Sequence, residues 1–266
     1  MKSCRISDLG TIGYAEAYAL QKRLVALRKA EAIGDVLLLC EHPPVITQGR
    51  NGKREHLLAS ERLLRERNVE FFETSRGGDV TFHGPGQIVG YPILQLAAIR
   101  KDVVWYVRML EEVMIRTTNE FGLNARREHG KTGVWVEPTS NAEGFLLATH
   151  HSFTQSGEGP LATSSSEKIG AIGVHISRWV TSHGFAYNVS TDLRYFDLII
   201  PCGIAGRKAT SLEKLLGRAV NPREVAPRLA HHFSEVFGLQ LQPASPAELF
   251  EMLAHAEHAL AAQAVA

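Results

Sequence analysis

Four glycines crowd the run "SRGGDVTFHGPGQ", residues 75–87, and apolar segments flank it on both sides. No regular element favours that density, because glycine loses more backbone freedom on folding than any other residue. The run therefore reads as a turn between a strand entering over residues 69–72 and one leaving over 87–96. Two readings stand together: a wide hairpin turn, or backbone brought close enough to hold a ligand. It is no P-loop, since no GK[ST] follows. It also lacks a GxGxxG before a helix, so a dinucleotide fold is not indicated.

Other segments extend this pattern. "DVLLLCEHPPVITQG" reads as a buried strand, a Pro-Pro break and a second short strand, because Pro43 and Pro44 cannot sit inside a central strand. "TGVWVE", "KIGAIGVHIS", "TSHGFAYNVS" and "LIIP" read as further strands. Helical periodicity runs from Tyr14 to about Ala30. It returns at Val104, Val107, Leu110, Met114, Thr117 and Phe121, with Gly122 as the stop. Residues 138–167, rich in Ser, Thr, Gly and His, read as an inserted loop with room for a small hairpin.

The last third switches to helices. Thr210 with Glu213, Asn221 with Glu224, and Ser245 with Glu248 have cap-plus-glutamate spacing, and Pro222 and Pro246 stand at first helical positions. Val225, Leu229, Phe233, Val236 and Phe237 form a core-facing stripe. The fold class is α+β: a mostly antiparallel sheet flanked by helices, with a helical C-terminal segment. The domain reading is a catalytic domain over 1–240, carrying the insertion at about 138–167, and a helical tail over 241–266.

Composition excludes several functions. The formal net charge of the 266 residues is +1, and no basic tail or RNA-binding signature is present, which argues against nucleic-acid binding. No apolar run approaches the roughly 20 residues that span a bilayer, and the N-terminus lacks a signal-peptide core. A cytoplasmic protein with no membrane association is expected. Three cysteines, none spaced CxxC, make neither a disulfide framework nor a structural zinc site. HExxH is absent and no His cluster stands with acids, so no metal is expected.

Cys202 is the candidate nucleophile. In "LIIPCGIAG" it follows Pro201, which ends the apolar run, and precedes Gly203, which admits close backbone approach. Buried small hydrophobe is the competing reading, and for Cys40 inside "VLLLC" it is the preferred one. A nucleophilic thiol needs a nearby cation or base. Lys168 is one candidate, with His83 and His183 as rival bases and Lys131 as the other lysine. Arg50, Lys53 and Arg54 form a local basic run suited to acidic protein partners, or a solvated loop.

"HPPVITQGR", "RGGDVTFHGPGQIVGYPI", "TGVWV", "KIGAIGVHISRWVTSHGFAYNV" and "FDLIIPCGI" resemble, in this order, the lipoyl(octanoyl) transferase family of lipoate biosynthesis. The resemblance implies a fold like the biotin and lipoate ligase catalytic domains. It implies transfer of an octanoyl group from the phosphopantetheine of acyl carrier protein, through a cysteine thioester, to a lysine of a lipoyl domain. Partners would be acyl carrier protein, the lipoyl domains of 2-oxoacid dehydrogenase complexes and the glycine cleavage H protein; no cofactor is implied.

Carried over by position, the acyl-bearing cysteine falls on Cys202 and its partner lysine on Lys168. Substrate-contacting stretches fall on Arg76, Gly77, Gly78, Asp79, Val80, Thr81, Phe82 and His83. They fall also on Ala171, Ile172 and Gly173, and on Gly184, Phe185 and Ala186. Phe82 stands where the family commonly has tyrosine, and the segment between Trp135 and Lys168 is longer than usual. The alternatives are an ATP-dependent lipoate or biotin ligase on the same fold, and a non-catalytic paralogue that binds acyl carrier protein.

Overall fold

A computed structural model describes residues 2–137, 166–200 and 208–265. Its centre is an eight-stranded sheet made of β1 (Lys2–Thr11), β2 (Asp35–Glu41), β6 (Gln87–Ile93), β7 (Ala125–Glu128), β8 (Lys131–Val136), β9 (Glu167–Ser177), β10 (Val180–Asn188) and β11 (Leu239–Pro243). The strand order is β11-β1-β2-β6-β10-β9-β8-β7. Pairing is antiparallel from β2 to β7 and parallel on either side of β1. A second sheet orders β4 (Glu70–Glu73), β3 (Val45–Gln48) and β5 (Val80–His83).

Strand β2 shows why the large sheet is covered on both faces. Side chains alternate along a strand, and here both sets are apolar. Val36, Leu38 and Cys40 join a core with α1 (Tyr14–Lys29) and α6 (Pro246–Val265). Leu37 and Leu39 join the opposite core with α3 (Val103–Asn119) and α5 (Pro222–Phe237). A third, smaller core gathers Ile46, Val80, Phe82, Leu198 and Ile199 around the second sheet, with Leu64 from α2 (Glu61–Glu66).

The helix signals hold with small shifts. Asn221 caps α5 by accepting from Arg223 N, and Ser245 and Glu248 form a reciprocal capping box at α6. Helix α4 (Leu212–Leu216) is capped by Ser211, one residue after the expected Thr210, through acceptance from Lys214 N. In α3 the expected Val104 is 69% exposed, and the core face is carried by Tyr106, Leu110, Val113 and Met114. Asp102, which caps that helix, turns the first apolar residues outward.

Three strand expectations are corrected. The glycine-rich run is not a hairpin turn: it contains β5, which pairs with β3, while β4 and β6 belong to different sheets. "LIIP" is not a strand. Residues Leu193–Leu198 form a 3-10 helix, and Ile199 makes one isolated bridge to Leu57. The β1 strand was not anticipated at all, because only Cys4 and Ser7 of its length are fully buried and Ile6 is half-buried. Most of the expected insertion lies outside the described residues, and Glu167 opens β9. The 240/241 division falls inside β11, whose pairing with β1 makes it part of the large sheet.

Candidate active site

A cleft of about 530 Å³, solvent at its mouth included, opens where β9 and β10 of the large sheet meet β5 of the small one. Its walls bring together three stretches that are far apart in sequence. Arg76, Gly78, Asp79, Val80, Thr81 and His83 come from the glycine-rich run; Ala171, Ile172 and Gly173 from β9; Gly184, Phe185 and Ala186 from β10. Lys168 stands at the same cleft, as do Tyr14, Val89, Tyr91 and His183.

Two expected residues do not line it. Gly77 donates its backbone N–H to the Val174 carbonyl (2.9 Å) and so ties the glycine turn to β9. Phe82 is buried in the small core, stacked on Tyr195 at 4.7 Å between ring centroids. The strand alternation explains it: Phe82 lies between Thr81 and His83 and faces the other way. Cys202 lies outside the described residues.

Arg76 is a clamp as well as a wall. Its guanidinium donates to the Thr47 carbonyl (2.6 Å), to Thr47 Oγ1 (2.9 and 3.1 Å) and to the Gly77 carbonyl (3.0 Å). Residues 49–51 are laced to the same turn: Gly49 N, Arg50 N and Asn51 N donate to the carbonyls of Asp79, Arg76 and Gly78. Glycine is required at 49, where a Cβ would sit 2.4 Å from the Gly78 carbonyl oxygen. The basic run thereby forms a rim beside the cleft. Lys53 and Arg54 are partly matched there by Glu55 and Glu61, at 3.4 and 3.5 Å.

Lys168 is placed by its backbone on both sides. It pairs with Trp135 of β8. Its N–H donates to the Lys208 carbonyl and its own carbonyl accepts from Thr210 N, both at 2.9 Å. The Nζ lies 5.0 Å from the Trp135 ring centroid, within cation–π range. The stem passes over Gly133, whose φ is +116°; a Cβ there would meet Lys168 Cε at 2.7 Å. Glu111 of α3, fully buried, holds Gly133 N at 3.0 Å and accepts from Arg108 and Arg127. Gly133 and Glu111 escaped the sequence reading. The glycine of "TGVWV" was the only available sign.

Burial holds His42, His83 and His183 toward the neutral form. Burial pushes His83 down to about 3, with His42 and Arg76 adding repulsion, and it pushes His183 down to about 3, with Arg76 next in effect. His42 is lowered in the same way. His183 sits in β10 with φ +55°, an uncommon conformation for a non-glycine residue. Gln21 holds its backbone N–H at 2.8 Å, and Ser75 Oγ lies 3.1 Å from Nε2. Both rival bases are thus held toward the neutral form, and Lys168 is the lysine among the residues lining the cleft. Lys131 does not line the cleft: it pairs with Glu128 at 2.6 Å, with its Nζ 5.4 Å from the centroid of the Trp135 ring that Lys168 also faces.

Among the described residues, the one group with metal-ligand geometry is His231, His232 and Glu235 on α5, away from the cleft. No described helix is long and apolar enough to cross a membrane.

Comparison with known proteins gives this geometry a context. The model of the lipoyl protein ligase A/B catalytic domain matches residues 13–234. An octanoyltransferase of Acidobacterium capsulatum is 48% identical over 256 residues, 92% of this chain and 95% of that one. One of Solibacter usitatus is 46% identical over 243 residues, 91% and 97% of the two chains. Among solved structures, a bipartite lipoate protein ligase from Thermoplasma acidophilum superposes with a TM-score of 0.66 at 14% identity, covering 96% of this chain and 91% of that one. A lipoate-protein ligase A bound with ATP gives 0.64 at 14% identity, with 96% and 93% covered. At such identity these structures speak for the fold alone. The chain belongs to the lipoyl protein ligase A/B catalytic-domain family and, within it, to the octanoyltransferases.

Proposed function

We propose that this acyltransferase moves an octanoyl group from acyl carrier protein to a lipoyl-domain lysine through a thioester on Cys202, with Lys168 as the proton carrier. The observation that supports the reading is where the described chain on either side of residues 201–207 is bonded. On one side Ile200 N donates to the His56 carbonyl at 2.8 Å, and His56 Nδ1 bonds Asp79 in the cleft wall. On the other side Lys208 and Thr210 are bonded to Lys168 itself. Cys202 is two residues from Ile200, a reach of at most ~7 Å along an extended chain. We assign the acyl-bearing thiol to the stretch that joins these two anchored ends.

The chemistry then closes on itself. A free thiol has a pKa of about 8.5, and an ammonium beside it favours the thiolate. The Cys202 thiolate attacks the thioester carbonyl of the donor. The carbonyl's bond to the phosphopantetheine sulfur breaks, and that sulfur takes a proton from the Lys168 ammonium. In the second half, the incoming lysine amine attacks the Cys202 thioester. An amide forms, the C–S bond breaks, and the neutral Lys168 amine takes the proton the nitrogen sheds. Thiolate and ammonium are restored. Amide formation from a thioester is downhill, so no ATP is consumed. The relatives' share of sequence favours this over the ligase reading, for which only the fold speaks.

Val89, Ile172, Phe185 and Ala186 supply an apolar wall for the acyl chain, whose burial contributes about 0.8 kcal/mol per methylene. Arg50, Lys53 and Arg54 on the rim attract an acidic carrier protein. Reversing the charge at Lys53 and Arg54 is expected to weaken the carrier's affinity and flatten its salt dependence. Intact-protein mass spectrometry tests the central claim. Mixing with octanoyl carrier protein gives an octanoyl adduct on the wild type and none on Cys202→Ser; an adduct surviving on the variant refutes the assignment.

A further inference from the structure

Behind His83, which lines the cleft, runs a hydrogen-bonded chain that the transfer steps above leave unused. His83 Nδ1 lies 2.7 Å from Gln87 Oε1. Gln87 Nε2 donates to the Phe82 carbonyl at 3.2 Å and to Asn188 Oδ1 at 2.9 Å. Asn188 Nδ2 donates to the Thr210 carbonyl at 2.9 Å, and Thr210 N donates to the Lys168 carbonyl at 2.9 Å. Gln87 and Asn188 face each other across β6 and β10, 2% and 5% exposed. Two fully amidic, uncharged side chains thus link the His83 ring to the backbone of Lys168.

The directions follow from what each atom can do. A carbonyl only accepts, so the amide NH₂ groups must face Phe82 and Thr210. That leaves Gln87 Oε1, an acceptor, against His83, and Nδ1 must carry the hydrogen. A neutral imidazole then has its lone pair on Nε2. With Nδ1 taken by Gln87, Nε2 is left to the cleft that the ring lines. The groups around the ring are Tyr14 and His42, with Arg76 and His183 beyond.

Among the reacting groups of the two substrates, the attacking amine is the one that matches a bare acceptor. The developing oxyanion would be repelled by it, and the attacking sulfur is an anion. The amine that attacks in the second half-reaction brings N–H donors. We propose that Gln87 and Asn188 are positioning residues that hold His83 as its Nδ1–H tautomer, so that Nε2 accepts a hydrogen bond from the primary amine of the acceptor. The inference rests on the octanoyl-transfer reading. His83 aims the amine's lone pair at the thioester, a role confined to the second half-reaction.

The test combines nitrogen NMR with half-reaction kinetics. In wild-type protein, long-range ¹⁵N–¹H correlation is expected to show His83 with Nδ1 protonated and Nε2 bare; the reverse tautomer overturns the proposal. Gln87→Leu is expected to leave octanoyl-adduct formation unchanged and to slow transfer to the amine by about tenfold, the worth of one hydrogen bond. Equal loss in both halves, or loss in neither, also overturns it. Gln87→Glu keeps an acceptor at Nδ1 but adds a negative charge that raises the ring's pKa. The acid limb of amine transfer should then move to higher pH than in the wild type, and an unmoved limb counts against the proposal. If the wild type forms no octanoyl adduct, the transfer reading fails, whereas the tautomer spectrum still judges His83 and Gln87.

Discussion

At the scale of the residue, Gly133 decides where Lys168 can be. Its φ of +116° is open to glycine and scarcely to any other residue, and an added Cβ would lie 2.5 Å from the Gly170 carbonyl oxygen as well as against the Lys168 stem. Gly133→Ala is therefore expected to lower stability by about 2 kcal/mol or more and to cut transfer further than the stability loss explains. Gly130→Ala is the control, since that glycine has positive φ but nothing within 4 Å of a Cβ. It should lose about 1 kcal/mol with activity intact once folded. Thermal denaturation and a single-turnover transfer assay on both variants separate the two. Cys40 behaves as the sequence pattern implies: it is 3% exposed, and burial drives its thiol pKa far up, so it is no competing nucleophile.

At the scale of the element, α3 supports the site from behind. Glu111 is fully buried and joins Gly133 N to two arginines from α3 and β7. Glu111→Ala should cost about 2–4 kcal/mol, because it orphans a buried N–H and strips both guanidinium groups of a partner. Chemical denaturation measures that directly. Helix α6 is tied to α1 by the buried Leu249 and Leu253 and by the bidentate Arg23–Glu257 pair. Leu253→Ala should cost about 2–4 kcal/mol, with transfer unaffected at temperatures where the protein stays folded; equal losses in stability and transfer would mean α6 shapes the cleft.

Helices and central strands were legible because their signals are local. Asn221, Ser245 and the stripe from Val225 to Phe237 announce their elements within a few residues. Strand β1, between β11 and β2, and the short β5 were poorly legible, since their stability comes from partners distant in sequence. The motif stretches of the cleft were legible as a resemblance. Their separation into wall residues and the inward-facing Phe82 was not, because that depends on which sheet each strand joins.

At the scale of the whole molecule, the buried neutral histidines make stability depend on acid. His83 and His183 have folded pKa values of about 3 against roughly 6.5 unfolded. Between those values the unfolded chain binds more protons than the folded one, so stability falls as pH drops below 6.5. The unfolding free energy at pH 5 should be lower than at pH 7 by up to about 4 kcal/mol, from about 1.4 kcal/mol per unit for each of the two rings over the roughly 1.5 units below 6.5. Denaturant titrations at the two pH values check this, and replacing His183 by Gln should remove part of the slope.

The chain alone determines its local grammar. Apolar alternation, caps and glycine density specify strands, helix ends and a turn, and the motif series specifies a family, because each is written in neighbouring residues. Tertiary structure alone decides that Lys168 lies over Gly133, that the glycine turn docks on β9, and that Gln87 meets Asn188. Those contacts join residues tens of positions apart, and their geometry follows from sheet order and packing, which no local pattern encodes.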